Sequence, residues 1–336
     1  MSPSPLPSVV FDPAGGVPAA KLSMTALEKG DWRSVEDAHG NSEDWDTRGS
    51  VAAALRRLDP IDDWVLSCPR SGLAHAVRGS QLCRLAWDVR GNGKANTVDR
   101  SAWGDFFSLL RAAEESFGKA VDLEPRDPYP WSQLIWTGTG LQIPKDDVLG
   151  RFESMRRRDD GFVPGWLAIT SAVAQKWSGS HTLMFDVARE GDRTLPDGNL
   201  GRVGLVRAHE EFRMYLAHWD NDPVAAKAHF RKPEVAAEIG AAASASVFSA
   251  HHEPGGSTPL AQSWFAYALA MVGDGVRAER VRAAGLFLEL ERVGIPDQPW
   301  ANRYGRKGGE QFARIRRICC TAAGTTDEPT TSDPHP

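Results

Sequence analysis

An all-α fold is predicted by three features of the sequence. Apolar residues recur at helical spacing through most of the chain, while the period-two alternation of β-branched residues that marks strands is scarce. Turn-forming residues punctuate this pattern at Leu58-Asp59-Pro60, Gly91-Asn92-Gly93, 125–130, Pro196-Asp197-Gly198 and Pro254-Gly255-Gly256. The middle of the chain also repeats itself, with a period suited to pairs of helices.

Taken in order, the helices are expected to begin near Ala26, Trp45, Arg70, Ala102, Pro130, Lys145, Val163, His181, Gly201, Pro223, Lys232, Pro259, Gly275 and Gly308. Short helices joined by short loops predict helix pairs. Within 103–131, Ala113, Phe117, Ala120 and Pro125 have the spacing of the second helix of a tetratricopeptide repeat and its closing proline. Small alanines let two helices approach, and Phe117 fills the gap. Trp131 and Leu134 then stand at the expected positions of the next first helix. A shift of 35 residues, against about 34 in the usual repeat, carries Phe117 onto Phe152, Trp131 onto Trp166 and Leu134 onto Ile169. Gly30-Asp31 and Gly273-Asp274 are weaker echoes, each placed to turn one helix into a partner.

The predicted architecture is a tetratricopeptide-like right-handed α-α superhelix with irregular repeats. It forms a single helical domain over 21–320, with its clearest repeats at 103–175. The Pro/Ser/Gly-rich residues 1–20 and the Thr/Pro/acid-rich residues 321–336 carry few apolar groups to offset ordering entropy, and are expected to be disordered tails.

The segments AWDVRGNGKANTV, DLEPRDPYPW, KWSGSHTLMFDVARE, VRAHEEF and SWFAYALAMVGD resemble a group of uncharacterised actinobacterial proteins carrying tetratricopeptide-like helices. The resemblance spans nearly the whole chain and implies a helical-repeat fold in a bacterial cytoplasm. It brings no activity, so no catalytic residue is carried over.

Composition narrows the function classes. Twelve tryptophans are more than a disordered chain carries, so a packed core is expected. A net charge of -5 opposes non-specific attraction to nucleic acid or an anionic membrane. Arg156-Arg157-Arg158 and the run Arg303, Arg306, Lys307, Arg314, Arg316, Arg317 are read as solvated helix faces, the first offset by Asp159-Asp160. No apolar run approaches the roughly 18 residues of a membrane span, and the N-terminus lacks the basic start and apolar run of a signal peptide. Cys68, Cys83, Cys319 and Cys320 form no CxxC pair, which suits reduced thiols in the cytoplasm.

Few constellations point to chemistry. His209-Glu210-Glu211 begins like the H-E-x-x-H zinc helix, but position 213 is Arg. His218, nine residues on, falls on the opposite side of a continuous helix. Ligands from distant segments, His181, His209 and Glu211 with His251 or His252, form the alternative reading of a metal-binding protein or metal-assisted hydrolase. Trp177 to His181 is read as a helix end, a Gly179 turn and a new cap by Ser180 or Thr182. The stretch 88–99 departs from a calcium loop at Arg90, and Gly91-Asn92-Gly93-Lys94 lacks P-loop spacing. No G-x-S-x-G occurs, and Cys68 and Cys83 are read as core residues.

The leading expectation is therefore a non-catalytic module binding a protein or peptide partner, without cofactor, with Trp177, His181, His209 and Glu211 as candidate binding residues and Trp219 among the aromatics available to line a groove.

Overall fold

The computed structural model describes residues 9–91 and 98–325, and every regular element among them is helical. The loop 92–97, half of the stretch compared with a calcium loop and most of Gly91-Asn92-Gly93-Lys94, lies outside the described residues, as do 1–8 and 326–336.

Helix starts follow local chemistry. The side chains of Asp31, Asp44, Ser71, Asp99, Ser180 and Asp222 accept the free backbone N–H groups of the helices they precede. Proline occupies the first turn of several others, where its missing N–H costs nothing. The order is α1 (Pro18–Glu28), α2 (Trp32–Gly40), α3 (Trp45–Leu55), α4 (Ile61–Ser67), α5 (Gly72–Arg90), α6 (Arg100–Leu123), α7 (Tyr129–Leu141), α8 (Lys145–Arg156), α9 (Val163–Ala172), α10 (His181–Thr194), α11 (Val203–His218), α12 (Pro223–Ala228), α13 (Pro233–Ser244), α14 (Thr258–Val272), α15 (Arg277–Val293), α16 (Trp300–Tyr304) and α17 (Gly308–Ala323).

Neighbours in sequence pack as neighbours in space. α5 lies along α6, α7 touches α6, α8 and α9, α9 touches α10 and α11, and α11 touches α14, which packs on α15. The repeat-register residues Ala113, Phe117, Ala120, Leu134, Phe152 and Trp166 are all buried. Phe117 of α6 meets α5 where Gly79 has no side chain, since a Cβ there would stand 2.7 Å from its ring. Trp166 of α9 is held the same way between Gly191 and Gly201, each of whose Cβ atoms would come within 2.6 Å of the indole. Phe152 meets that indole edge-on at 4.9 Å, and the indole N–H donates to the Asp160 carbonyl at 2.7 Å.

The helices that carry the expected repeat are unlike in length and environment. α6 has 24 residues and α8 has 12, although Phe117 and Phe152 occupy corresponding positions. Trp131, placed by its register in the core like Trp166, is only partly buried because one face lies under the Arg158 guanidinium, 4.8 Å from the ring. Pro125 is exposed in the turn between α6 and α7, where its carbonyl accepts from Arg158 Nε at 2.6 Å.

Two further features depart from the sequence reading. Residues 9–20, expected to be part of a tail, are seated on the far end of the chain. Asp12 N–H donates to the Ile295 carbonyl at 2.9 Å, the Asp12 carboxylate accepts from Ala14 and Gly16 N–H, and Ala14, Val17 and Ala20 are buried. At the C-terminal side, α17 runs through Ala323 and closes on Gly324, whose φ of 75° suits a residue without a Cβ. The series of helices also closes on itself. Ser257 Oγ donates to Asp46 at 2.7 Å, Ser50 Oγ donates to the Gly256 carbonyl at 3.0 Å, and Arg57 pairs with Asp297 at 3.1 Å, so α3 and the segment after it meet the elements around α14 and α16.

The glycine contacts predict opposite effects from one substitution type. Gly191→Ala forces a methyl into Trp166 and lowers unfolding stability by about 1–3 kcal/mol. Gly118→Ala, in α6 with open space around it, raises stability by roughly 0.5–1 kcal/mol through helix propensity. Urea titration of both variants checks the difference in sign.

Candidate functional site

Three consecutive residues of α11, His209, Glu210 and Glu211, are buried. Successive helical residues turn by about 100°, so each faces a different neighbour. Glu210 accepts from Arg213 Nε and Nη2 at 2.7 Å each, from the Tyr267 hydroxyl at 2.6 Å, and from Arg303 at 3.3 Å. Glu211 is paired with Arg207 at 2.6 Å and Lys176 at 2.8 Å.

His209 turns toward α10 and α13. Its Nε2 lies 2.9 Å from Glu238, and its Nδ1 lies 3.1 Å from Nε2 of His229, which sits in the short turn His229–Arg231. Arg189 of α10 grips Glu238 from the other side at 2.6 and 3.3 Å. Burial pushes the Glu238 carboxyl upward, but the hydrogen bonds from His209 and Arg189 outweigh it and hold the group at about 2. Burial, then the neighbouring His209 and Lys232, pulls His229 down to about 3. With Glu238 ionised, the network assigns the proton on His209 to Nε2, so Nδ1 accepts from the His229 Nε2–H. His229 Nδ1 is then left buried with no hydrogen-bond partner.

This relay forms one wall of an open cavity of about 470 Å³, lined also by Phe185, Phe212, Lys232, Glu234 and Val235. Aromatic rings continue outward from it along α10 and α11. Phe212 stands 5.1 Å from His229 and 4.7 Å from His181, and His181 stands 4.6 Å from Tyr215, which stacks on Trp219 at 5.6 Å with planes 8° apart. His181, Phe212 and Tyr215 are partly exposed, and Trp219 is 40% exposed.

The structure therefore separates the sequence candidates. His209 is in the cavity wall and His181 in the adjoining strip, with its Nδ1 unpartnered and its ring kept below the usual histidine range by burial. Glu211 points elsewhere into its two cations. Trp177 belongs to another aromatic group, edge-on to Trp87 at 5.4 Å and under Arg90 at 5.2 Å. His181, His209 and Glu211 do not converge as the metal alternative requires, and among the described residues no group of three His, Cys, Asp or Glu side chains could hold a metal ion. His252 lies instead 3.4 Å from Thr258 Oγ1. Ser180 does cap α10, accepting from Leu183 N–H at 3.0 Å. Gly179 is required there, since a Cβ would strike the Val173 carbonyl.

His229, Glu238 and Arg189 were not signalled by any spacing in the sequence, because they reach His209 only through the packing of α10, α11 and α13. Of the C-terminal basic run, read as a solvated face, Arg303 is instead engaged by Glu210 and Arg316 by Glu291 at 2.7 Å. No described helix is long and apolar enough to cross a membrane. Burial pushes the Cys83 and Cys319 thiols up to about 12, as for inert core residues.

The fold and the site define an all-helical protein with a carboxylate–imidazole–imidazole relay at the end of an aromatic strip. Compared with protein-family models and with curated proteins, the chain matches none.

Folded His229 declines the proton that the unfolded chain takes up below about 6.5, so its contribution to stability is full above that pH and is lost as pH falls toward 3. Glu238 adds a loss in the same direction between 4.5 and about 2. Urea titrations across pH 7 to 3 should show a shallower acid slope in His229→Gln than in the parent, by at most about 1.4 kcal/mol per pH unit. Equal slopes would mean that His229 does not titrate in this way.

Proposed function

We propose that the protein is a non-catalytic interaction module of the cytoplasm, built on tetratricopeptide-like helix pairs, which seats a protein or peptide segment along α10 and α11. The observation that carries this reading is the strip His181, Phe212, Tyr215 and Trp219, partly exposed and continuous with the cavity at His209 and His229. Aromatic side chains supply large contact area at small entropic cost, and they dominate the energetics of such interfaces. Phe185 and Val235 offer an apolar seat in the cavity for one anchoring side chain. Lys232 and Glu234 at its edge are available to the polar backbone of a bound segment.

The pairing α7–α8 and α9–α10, with α7, α9 and α11 in successive contact, supports the tetratricopeptide-like reading of the framework. The closure of α3 onto the α14 end distinguishes it from an open superhelix. The candidate acid–base groups favour binding over catalysis, because Glu210, Glu211 and Glu238 are each committed to a cation of the chain itself.

Selection from a random peptide library, followed by affinity measurement on the full chain, tests the proposal. Selected peptides should share an apolar or aromatic anchor, and Phe212→Ala and Trp219→Ala should each weaken binding about tenfold, near 1.4 kcal/mol, with the helical signal retained. Unchanged affinity in both variants would remove the strip from the binding surface.

A further inference from the structure

A second recess, about 350 Å³, lies between the turn after α6, the end of α8 and the start of α3, and is lined by Trp45, Pro125, Arg126, Arg157 and Arg158. Its three guanidiniums have no carboxylate partner among the described residues. Arg157 donates only to Ser154 Oγ at 2.8 Å, and Arg158 donates to the carbonyls of Pro125 and Ser154. The adjacent Arg156, by contrast, is paired with Glu153, Asp160 and Glu190. A fourth cation stands against Trp45, one of the lining residues. Arg48 lies 4.7 Å from the Trp45 ring centre and bonds only the carbonyls of Ser42 and Gly40.

Nearby acids make no ion pair with this group, although Asp127 lies close enough to attract Arg158. Asp160 is held by Arg156, Asp159 accepts from Gly161 N–H, and buried Asp127 accepts from Tyr129 N–H at 2.8 Å. Burial raises the Asp127 carboxyl to about 7, and burial followed by repulsion from Arg157 lowers Arg158, an effect the nearby Asp127 only partly offsets. Guanidinium forks match the oxygens of phosphate, and a dianion offsets such a cluster better than a single carboxylate. Trp45 and Pro125 add an apolar wall against which the organic part of an ester can lie.

We infer that the recess of Arg126, Arg157, Arg158 and Trp45 is a binding site for a phosphate group, carried as a monoester such as a phosphorylated side chain. It shares no residue with the strip on α10 and α11, so its test is independent of the function proposed above.

Titration of the full chain with O-phosphoserine, serine and inorganic phosphate, followed by calorimetry and by Trp45-sensitive fluorescence, decides the matter. O-phosphoserine should bind at least about tenfold more tightly than serine, weaken with added salt, and lose about tenfold or more in Arg126→Gln/Arg157→Gln. Tighter binding of O-phosphoserine than of inorganic phosphate assigns the site to the ester, and equal binding assigns the same phosphate chemistry to the free ion. Both altered arginines are exposed, and an unchanged urea midpoint establishes that the double variant is folded. No preference for O-phosphoserine over serine, or undiminished binding by the folded double variant, would overturn the inference.

Discussion

The burial of three successive ionisable residues on one helix constrains everything around α11. His209, Glu210 and Glu211 turn in different directions, and each demands a partner: an unpaired buried charge costs about 3–5 kcal/mol, and an unsatisfied buried polar group about 1–3 kcal/mol. Lys176 and Arg207 are held to one side, Tyr267, Arg213 and Arg303 to another, and His229 with Glu238 to a third. The elements that carry these partners are α11 itself, α13, α14, α16, the turn His229–Arg231 and the turn before α10. A rotation or slide of any of them would strand a charge, so the polar spokes specify register where alanine-rich faces alone would tolerate slippage.

Apolar packing supplies the complementary half of that specification. Aromatic rings occupy places left open by glycines, as Phe117 does against Gly79 and Phe162 does against Gly49. Such contacts are one-sided fits: the large residue belongs to one helix and the vacancy to its neighbour, so only one pairing brings them together. The cavity beside His209 arises at the margin of this packing, where Phe185 and Phe212 converge without being covered.

Much of the helical framework was legible in the sequence. Starts at Trp45, Lys145, Val163, His181, Pro223 and Gly308 coincide with those observed, several of them marked by a side-chain cap or an early proline. α1 begins at Pro18 rather than near Ala26, because a Pro/Gly-rich stretch was read as a tail when its last proline opens a helix. The short α4 and α16 escaped because a helix of 7 or 5 residues shows too few turns for a period to emerge. The site was less legible. His209 was recognised as a candidate, but its partners His229 and Glu238 stand 20 and 29 residues away, and which face of α13 meets α11 is a property of the packed molecule. Glu210, the most connected acid, gave no sign of its role because Tyr267 and Arg303 come from later helices.

The meeting of α3 with the loop before α14 gives the chain a different mechanical character from a linear stack. In a linear stack, stability is a sum over adjacent units, and a terminal unit can peel away at the expense of a single interface. Here the hydrogen bonds that join the two ends link residues 206 and 211 positions apart. Removing a helix pair would also expose contacts made outside its sequence neighbours, since α3 touches α5 and α9 as well. Their formation depends on bringing together remote parts of the polypeptide, which makes closure a slow and late event in assembly. Loss of either end would therefore uncover surface belonging to a remote part of the chain and not a single terminal interface.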